Sequence, residues 1–205
     1  VSAHKKREPT RRPASLADPA TLTGLMDIAR EGGPNRLWLE MADPGRSALE
    51  VGRERARREE GGFSYRHTTV ALAGDEIAAC LIGYLLDDPY DLTGLDDMPE
   101  PFRPLVRLEA KAPGTWYVNV IATFPEYRGQ GIGARLLEIA GDRTREAGAA
   151  ASSIIVGSWN AGATRLYSRC GYQVVAQEPA ILPEAYLQTG DWLLMTRSLT
   201  KRTSS

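Results

Sequence analysis

Thr115-Trp116-Tyr117-Val118-Asn119-Val120-Ile121-Ala122-Thr123-Phe124-Pro125-Glu126-Tyr127-Arg128-Gly129-Gln130-Gly131-Ile132-Gly133-Ala134-Arg135-Leu136-Leu137 reads as a strand, a glycine turn and a helix. Trp, Tyr, Val and Ile crowd residues 115–123, as in a half-buried strand. Pro125 ends it, because proline has no N–H to give a ladder. Glycines stand at 129, 131 and 133, and Ile132, Leu136, Ile139 and Ala140 then recur at helical spacing. This order builds an anion cradle. Glycine permits positive φ and close approach of a ligand to the backbone, and the N–H groups at the helix start favour a phosphate. Arg128 adds a positive charge with several donors beside it.

The glycines admit other readings. Gly129-Gln130-Gly131-Ile132-Gly133-Ala134 fits the loose dinucleotide pattern G-x-G-x-x-[GA]. That fold also wants an acid about 20 residues further on, for the ribose. No Asp or Glu lies between Glu146 and Glu178, and the motif sits mid-chain after a β-hairpin, so a dinucleotide is disfavoured. No Lys-Ser or Lys-Thr follows the glycines, which excludes the usual P-loop. On the glycines alone a tight turn without ligand stays open.

Outward from this stretch, residues 4–12 read as a first edge strand or a basic arm, with a short strand ending near Pro13 preferred. Asp18-Pro19 opens a helix with the stripe Leu22, Leu25, Met26 and Ala29, broken at Gly32-Gly33-Pro34. Arg36 to Met41 reads as a short helical turn. Ser47 caps a helix reaching about Glu60, with Glu54–Arg58 and Arg55–Glu59 at i,i+4. Interleaved acids cancel most of its Arg53–Arg58 run, which favours a solvated face over a nucleic-acid patch. Tyr65–Leu72 and Ile77–Leu86 form a hairpin around residues 73–76. Residues 87–100 hold six acids and no base, and a modest helix follows to about Glu109. After the central helix come a strand over 152–156, a helix from Ala161 to Cys170, and closing strands over 172–177 and 192–199.

The expectation is one domain over 1–205, with a core over about 12–199, a basic arm or edge strand at 1–11 and a frayed tail at 200–205. A net charge of −1 gives no global attraction to nucleic acid or anionic lipid. The longest nearly apolar run, Ile77 to Leu86, falls well short of the ~20 residues that span a bilayer. The basic amino end has no apolar segment after it, so it does not read as a secretory signal. Cys80 and Cys170 stand among apolar neighbours, pointing to buried free thiols and the cytoplasm. Two histidines and two cysteines, all far apart, make no metal-ligand spacing, so no metal is expected.

A second stretch bears on the choice of ligand: Asn160-Ala161-Gly162-Ala163-Thr164-Arg165-Leu166-Tyr167-Ser168-Arg169-Cys170-Gly171-Tyr172. Together with residues 125–133 it resembles the GNAT superfamily of acetyl-CoA-dependent N-acetyltransferases. Residues 128–133 look like that family's R-x-x-G-x-G pyrophosphate loop, and residues 160–172 like its N-x-x-A-x-x-x-Y-x-x-x-G-[FY] helix. The element order matches from about Arg12 to Leu199. The resemblance implies an α/β (α+β) fold, a mixed, splayed central β-sheet flanked by helices, with strands 115–123 and 152–156 parting after a bulge. It implies that pantetheine meets the backbone of Ile121, Ala122 and Thr123, where one N–H polarises the thioester carbonyl. Arg128, Gly129, Gln130, Gly131, Ile132 and Gly133 would hold the pyrophosphate. Asn160 would contact the cofactor arm or cap its helix, and Tyr167 would be the general acid for the leaving thiolate.

The base is less legible. Many family members carry a Glu on the central strand, whereas residues 115–123 contain no acid. Glu109 precedes the strand, and Tyr117 and Asn119 share a face by alternation, as substrate-side or sheet-face residues. An acyl-enzyme at Cys170 is disfavoured, because no basic partner stands near it in sequence and the family transfers directly. The expected activity is therefore direct transfer of acetyl from acetyl-CoA to a small-molecule or peptide amine, with no nucleic-acid or membrane partner. A homodimer, the acceptor, the acyl length and the role of the acidic stretch stay open. The alternative is a catalytically silent module of the same fold that binds acyl-CoA or a protein partner.

Overall fold

Helices and strands fall largely where the two hydrophobic periods put them. The computed structural model describes residues 10–29, 38–39, 42–182 and 188–199. Its strands are β1 (Thr10–Pro13), β2 (Thr68–Ala73), β3 (Glu76–Leu85), β4 (Trp116–Thr123), β5 (Ala151–Gly157), β6 (Gln173–Pro179) and β7 (Asp191–Ser198). Its helices are α1 (Pro19–Ala29), α2 (Ala48–Arg57), α3 (Arg103–Glu109), α4 (Ile132–Glu146) and α5 (Ala161–Arg169). Among the described residues the strands form one open mixed sheet, in the order β1-β2-β3-β4-β5-β7-β6. The β4–β5 pair is parallel; β1–β2, β2–β3, β5–β7 and β6–β7 are antiparallel. None of the described helices is long and apolar enough to cross a membrane. Residues 4–9 of the expected arm, most of the turn expected at Arg36–Met41 and the tail beyond Leu199 lie outside the described residues.

The chain divides into two compact units. The first runs to Gly83 and takes in Val120–Leu136. Its core joins Leu22, Leu25 and Met26 of α1, Val51 and Ala56 of α2, Trp38, Val70 of β2, Cys80 and Ile82 of β3, and Val120 and Ala122 of β4. Side chains of this size each contribute about 1.5–3 kcal/mol on full burial. Alternation on β4 is visible here: Val120 and Ala122 are buried, while Ile121 and Thr123 are only partly so. Gly52 lets α2 approach closely, since a Cβ there would stand 2.5 Å from Thr23 and 2.6 Å from the Trp38 ring.

Four expectations in this unit are corrected. Ser47 does cap α2 through a reciprocal pair with Glu50, but the helix ends at Arg57, not near Glu60, because Arg58 turns extended. Only Glu54–Arg58 of the two expected pairs is made, at 4.0 Å; Glu59 instead pairs with Arg66, and Arg55 lies over the Phe63 ring. Tyr65–His67 is a 3-10 turn capped by Ser64, so β2 starts at Thr68 rather than Tyr65. The fourth concerns Asp18. Its backbone carbonyl accepts from Leu22, but its carboxylate faces backwards, accepting from Ser15 N–H and hydroxyl and from both Arg12 guanidinium nitrogens.

The second unit comprises Tyr84–Asn119 and the chain from Leu137 onward. The parallel register joins Trp116–Val118 to Ser152–Ile154, and β4 and β5 then continue to Thr123 and Gly157. Leu108 and Ala112 pack with Leu194, against Ile155, Ala176 and Trp192. The acidic stretch is tied at both ends. Leu86 N–H donates to Thr115 and Gly114 N–H to Asp87, while the Arg103 guanidinium donates to the carbonyls of Met98 and Asp96.

Candidate active site

In the first unit β4 delivers the chain into the glycine turn. Phe124 N–H donates to the Ala78 carbonyl, Pro125–Tyr127 makes a single 3-10 turn, and α4 begins at Ile132. Gly129 and Gly131 have φ of +72° and +80°, values that L side chains rarely adopt, and a Cβ at either would meet nothing within 4 Å. Among the described residues none accepts from the N–H groups of Gly129 to Ala134; the first helical bond from this end is Arg135 N–H to Gly131. A row of unspent N–H groups opening onto free space at a helix start suits a diphosphate. Arg128 is exposed beside it, its Nε donating to the Thr123 carbonyl at 3.2 Å, and the Gln130 amide donates to Glu126. One fastening escaped the sequence: the Tyr127 hydroxyl donates to Glu76 at 2.6 Å, holding the turn to β3. The two residues are 51 apart, and no local pattern signals the pair. Ile121, Ala122, Thr123 and residues 128–133 thus share this unit.

The second unit carries Asn160 and Tyr167. Asn160 is the N-cap of α5, its side-chain oxygen accepting from Ala163 N–H at 3.0 Å. Of the two roles left open for it, capping is the one observed. At the other end Gly171 takes φ +89°, Gly171 N–H donates to Ser168 and Tyr172 N–H to Tyr167. This paired left-handed cap is why the motif ends in glycine and an aromatic residue. It brings Tyr172 against Tyr167, ring centroids 6.3 Å apart, and Ser152 donates to the Tyr172 hydroxyl at 2.9 Å. Tyr167 is 6% exposed, and no described residue hydrogen-bonds its hydroxyl. Burial pushes its phenol well above the ordinary tyrosine value, with Tyr172 adding to the shift.

Tyr117 and Asn119 also lie in this unit. Tyr117 is buried edge-on to Tyr84, centroids 5.8 Å apart, and Asn119 is half-buried. Glu109 closes α3 and accepts from the Tyr90 hydroxyl at 2.6 Å. Cys170 is a free thiol but half-buried rather than buried, and burial raises it above its usual value. Buried Cys80 is pushed up to about 12 by the same cause. Neither is activated as a nucleophile. Among the described residues no three His, Cys, Asp or Glu side chains converge as a metal site would require.

Comparison with known proteins bears on the family and the fold. The family model "Acetyltransferase (GNAT) family" covers residues 38–172. No curated protein matches the chain. Among solved structures, the Drosophila melanogaster polyamine N-acetyltransferase, which catalyses the formation of N-acetylagmatine, superposes with a TM-score of 0.64 at 17% identity, over 94% of this chain and 100% of that one. An N-acetyltransferase from Staphylococcus aureus gives 0.60 at 17% identity, over 91% and 99%. A GNAT family acetyltransferase from Elizabethkingia anophelis with acetyl-CoA bound gives 0.55 at 19%, over 95% and 100%. At these identities the likeness is one of fold. With two thirds of its length under the family model, and both motifs inside that span, the chain belongs to the GNAT acetyltransferase family.

Proposed function

We propose that the protein is an N-acetyltransferase that moves an acetyl group from acetyl-CoA directly to a primary amine on a small molecule or peptide, as one catalytic domain acting in the cytoplasm. The observation that carries this reading is the row of N–H groups from Gly129 to Ala134, with Gly129 and Gly131 in the left-handed region and space over both. Those residues and Arg128 would hold the pyrophosphate of acetyl-CoA, which brings the acetyl group as a thioester. The backbone of Ile121, Ala122 and Thr123 would bond its arm, and one N–H there would stabilise the negative charge growing on the carbonyl oxygen. Asn160 fixes the first turn of α5 and so the direction of Tyr167. As the amine nitrogen bonds to the carbonyl carbon and the C–S bond breaks, the Tyr167 phenol gives its proton to the departing sulfur, and the amine gives one up to solvent or a base. Tyr117 and Asn119 stand as acceptor-side residues of β4.

Gly131→Val tests the reading. A branched side chain resists φ +80° and fills the space a phosphate would take. Calorimetry should show acetyl-CoA binding to the wild type and none to the variant; equal affinities would remove the loop from the site. A second reading, a module that binds acyl-CoA without turnover, draws on one fact: no acid stands on β4 to act as base. An amine panel read by release of free thiol separates the two, since the module would bind acetyl-CoA and release none.

A further inference from the structure

Within the first unit the glycine turn is tied to the opening residues of β3 at two points. Phe124 N–H donates to the Ala78 carbonyl at 3.0 Å, and three residues on the Tyr127 hydroxyl donates to a Glu76 carboxylate oxygen at 2.6 Å. Glu76 opens β3 directly after the hairpin turn, where it pairs with Ala73. Tyr127 closes the 3-10 turn Pro125–Tyr127, so its hydroxyl fixes the residue from which Arg128 and the glycines depart. On the other side the Arg128 Nε donates to the Thr123 carbonyl at 3.2 Å, and the Gln130 amide adds a longer bond, 3.4 Å, to the Glu126 carbonyl. Glu76 is exposed and Tyr127 only half-buried, so the tie lies outside the hydrophobic core.

The turn that follows has much freedom to lose. Gly129 and Gly131 stand at φ +72° and +80°, and glycine gives up more backbone entropy on ordering than any other residue. Where a ligand must order such a loop, that entropy is subtracted from its affinity; where a contact within the protein orders the loop beforehand, it is not. A phenol donating to a carboxylate makes a charge-assisted bond, stronger than one between neutral groups. It also brings no positive charge to the tie, which a diphosphate would draw away from a lysine or arginine in the same place. We propose that Tyr127 and Glu76 are positioning residues that preset the glycine turn for the diphosphate of acetyl-CoA. They act through the backbone of residues 128–133 and not by touching the ligand. This inference rests on the acetyltransferase reading for the identity of that ligand.

The test is calorimetry of acetyl-CoA binding to wild type, Tyr127→Phe, Glu76→Ala and the double variant. Each single change should raise Kd by about three- to tenfold, the effect of one charge-assisted hydrogen bond at a partly exposed site. The double variant should bind no more weakly than either single one, because both changes remove the same bond. Glu76→Gln keeps an acceptor oxygen and should stay within about twofold of wild type. Steady-state kinetics add a readout that a general loss of stability would not give. In Tyr127→Phe, kcat at saturating acetyl-CoA should be unchanged, while the preference for acetyl-CoA over acetyl-pantetheine, which lacks the diphosphate, should fall in kcat/KM by the factor that Kd rises. Unaltered Kd in the single variants, losses that add in the double variant, or an equal loss for both thioesters overturns the inference and leaves the acetyltransferase intact. The expected Kd cycle in a protein that acetylates nothing upholds the positioning role and sinks the transfer reaction. A wild type that binds no acetyl-CoA overturns the inference together with the reading on which it rests.

Discussion

In the proposed reaction Tyr167 would be an acid that is always protonated but weak. Burial raises its pKa, so the phenol stays protonated through the neutral and mildly alkaline range, while the same shift makes full proton transfer to a departing thiolate uphill and leaves hydrogen-bond donation to the sulfur as its main contribution. Tyr167→Phe removes one oxygen from a packed ring and should leave acetyl-CoA affinity within a few-fold. Under chemistry-limited conditions kcat should fall on the order of 10-fold or more, less than the full effect of a placed acid because water substitutes. Because the group is neutral, the wild-type rate should show no loss from this residue between neutral pH and about pH 10. A pH–rate profile and single-turnover kinetics of both proteins check the two statements; an unchanged kcat would take Tyr167 out of the mechanism. The same burial that suits Tyr167 quiets Cys170 three positions on, so residue identity without its surroundings could not rank the two.

At the scale of elements, the clearest energetic handle is the tie between β1 and α1. Asp18 is held at about 2 rather than 3.8, first by its hydrogen bonds with Arg12, then by Ser15, against the opposing pull of burial. A folded-state pKa below the unfolded one contributes stability above about pH 4, lost as pH falls toward 2. Asp18→Asn should therefore cost about 1 kcal/mol at neutral pH, allowing for the partly exposed Arg12 guanidinium, with the gap to wild type narrowing from about pH 4 downward. Urea melts of both proteins across that range check the sign; a gap that widens in acid would contradict it. Sequence spacing marked Asp18 as a helix cap and missed this, because it specifies where a carboxylate stands and not which way it points. The Ser47–Glu50 box and the cap of α5 were legible, since both ends of each interaction lie within three residues. What stayed hidden joins distant segments: Tyr127 with Glu76, Tyr90 with Glu109, and Arg66 drawing Glu59 off the end of α2. The glycine loop and the Asn160–Tyr172 stretch were readable for a further reason. Their backbone geometry is one that only glycine or a capping residue supplies, and such residues mark themselves.

For the molecule as a whole, charge is balanced globally and polarised locally. Net charge is −1, yet residues 87–100 contain six acids and no base, so the rest of the chain is net positive. Asp91 is partly spent on the turn at Thr93, whereas Asp87 and Asp88 are exposed. If this stretch steers a cationic acceptor, changing Asp87, Asp88 and Asp91 together to Asn should raise its KM, more at ~10 mM salt, where the Debye length is ~30 Å, than at ~150 mM. Unchanged KM at low salt would leave the stretch a surface loop. The division of the chain into units has a consequence for anyone wishing to take the protein apart. Neither unit is a continuous segment: the first recovers Val120–Leu136 after the chain has left it, and β4 contributes to both. A fragment cut at Gly83 would deprive Val70, Cys80 and Ile82 of Val120 and Ala122, and would also lose the glycine turn. Split reporters and domain swaps that cut the chain at Gly83 should accordingly fail to give a folded first unit, and any graft that moves the glycine turn must carry the helix–hairpin layer along with it.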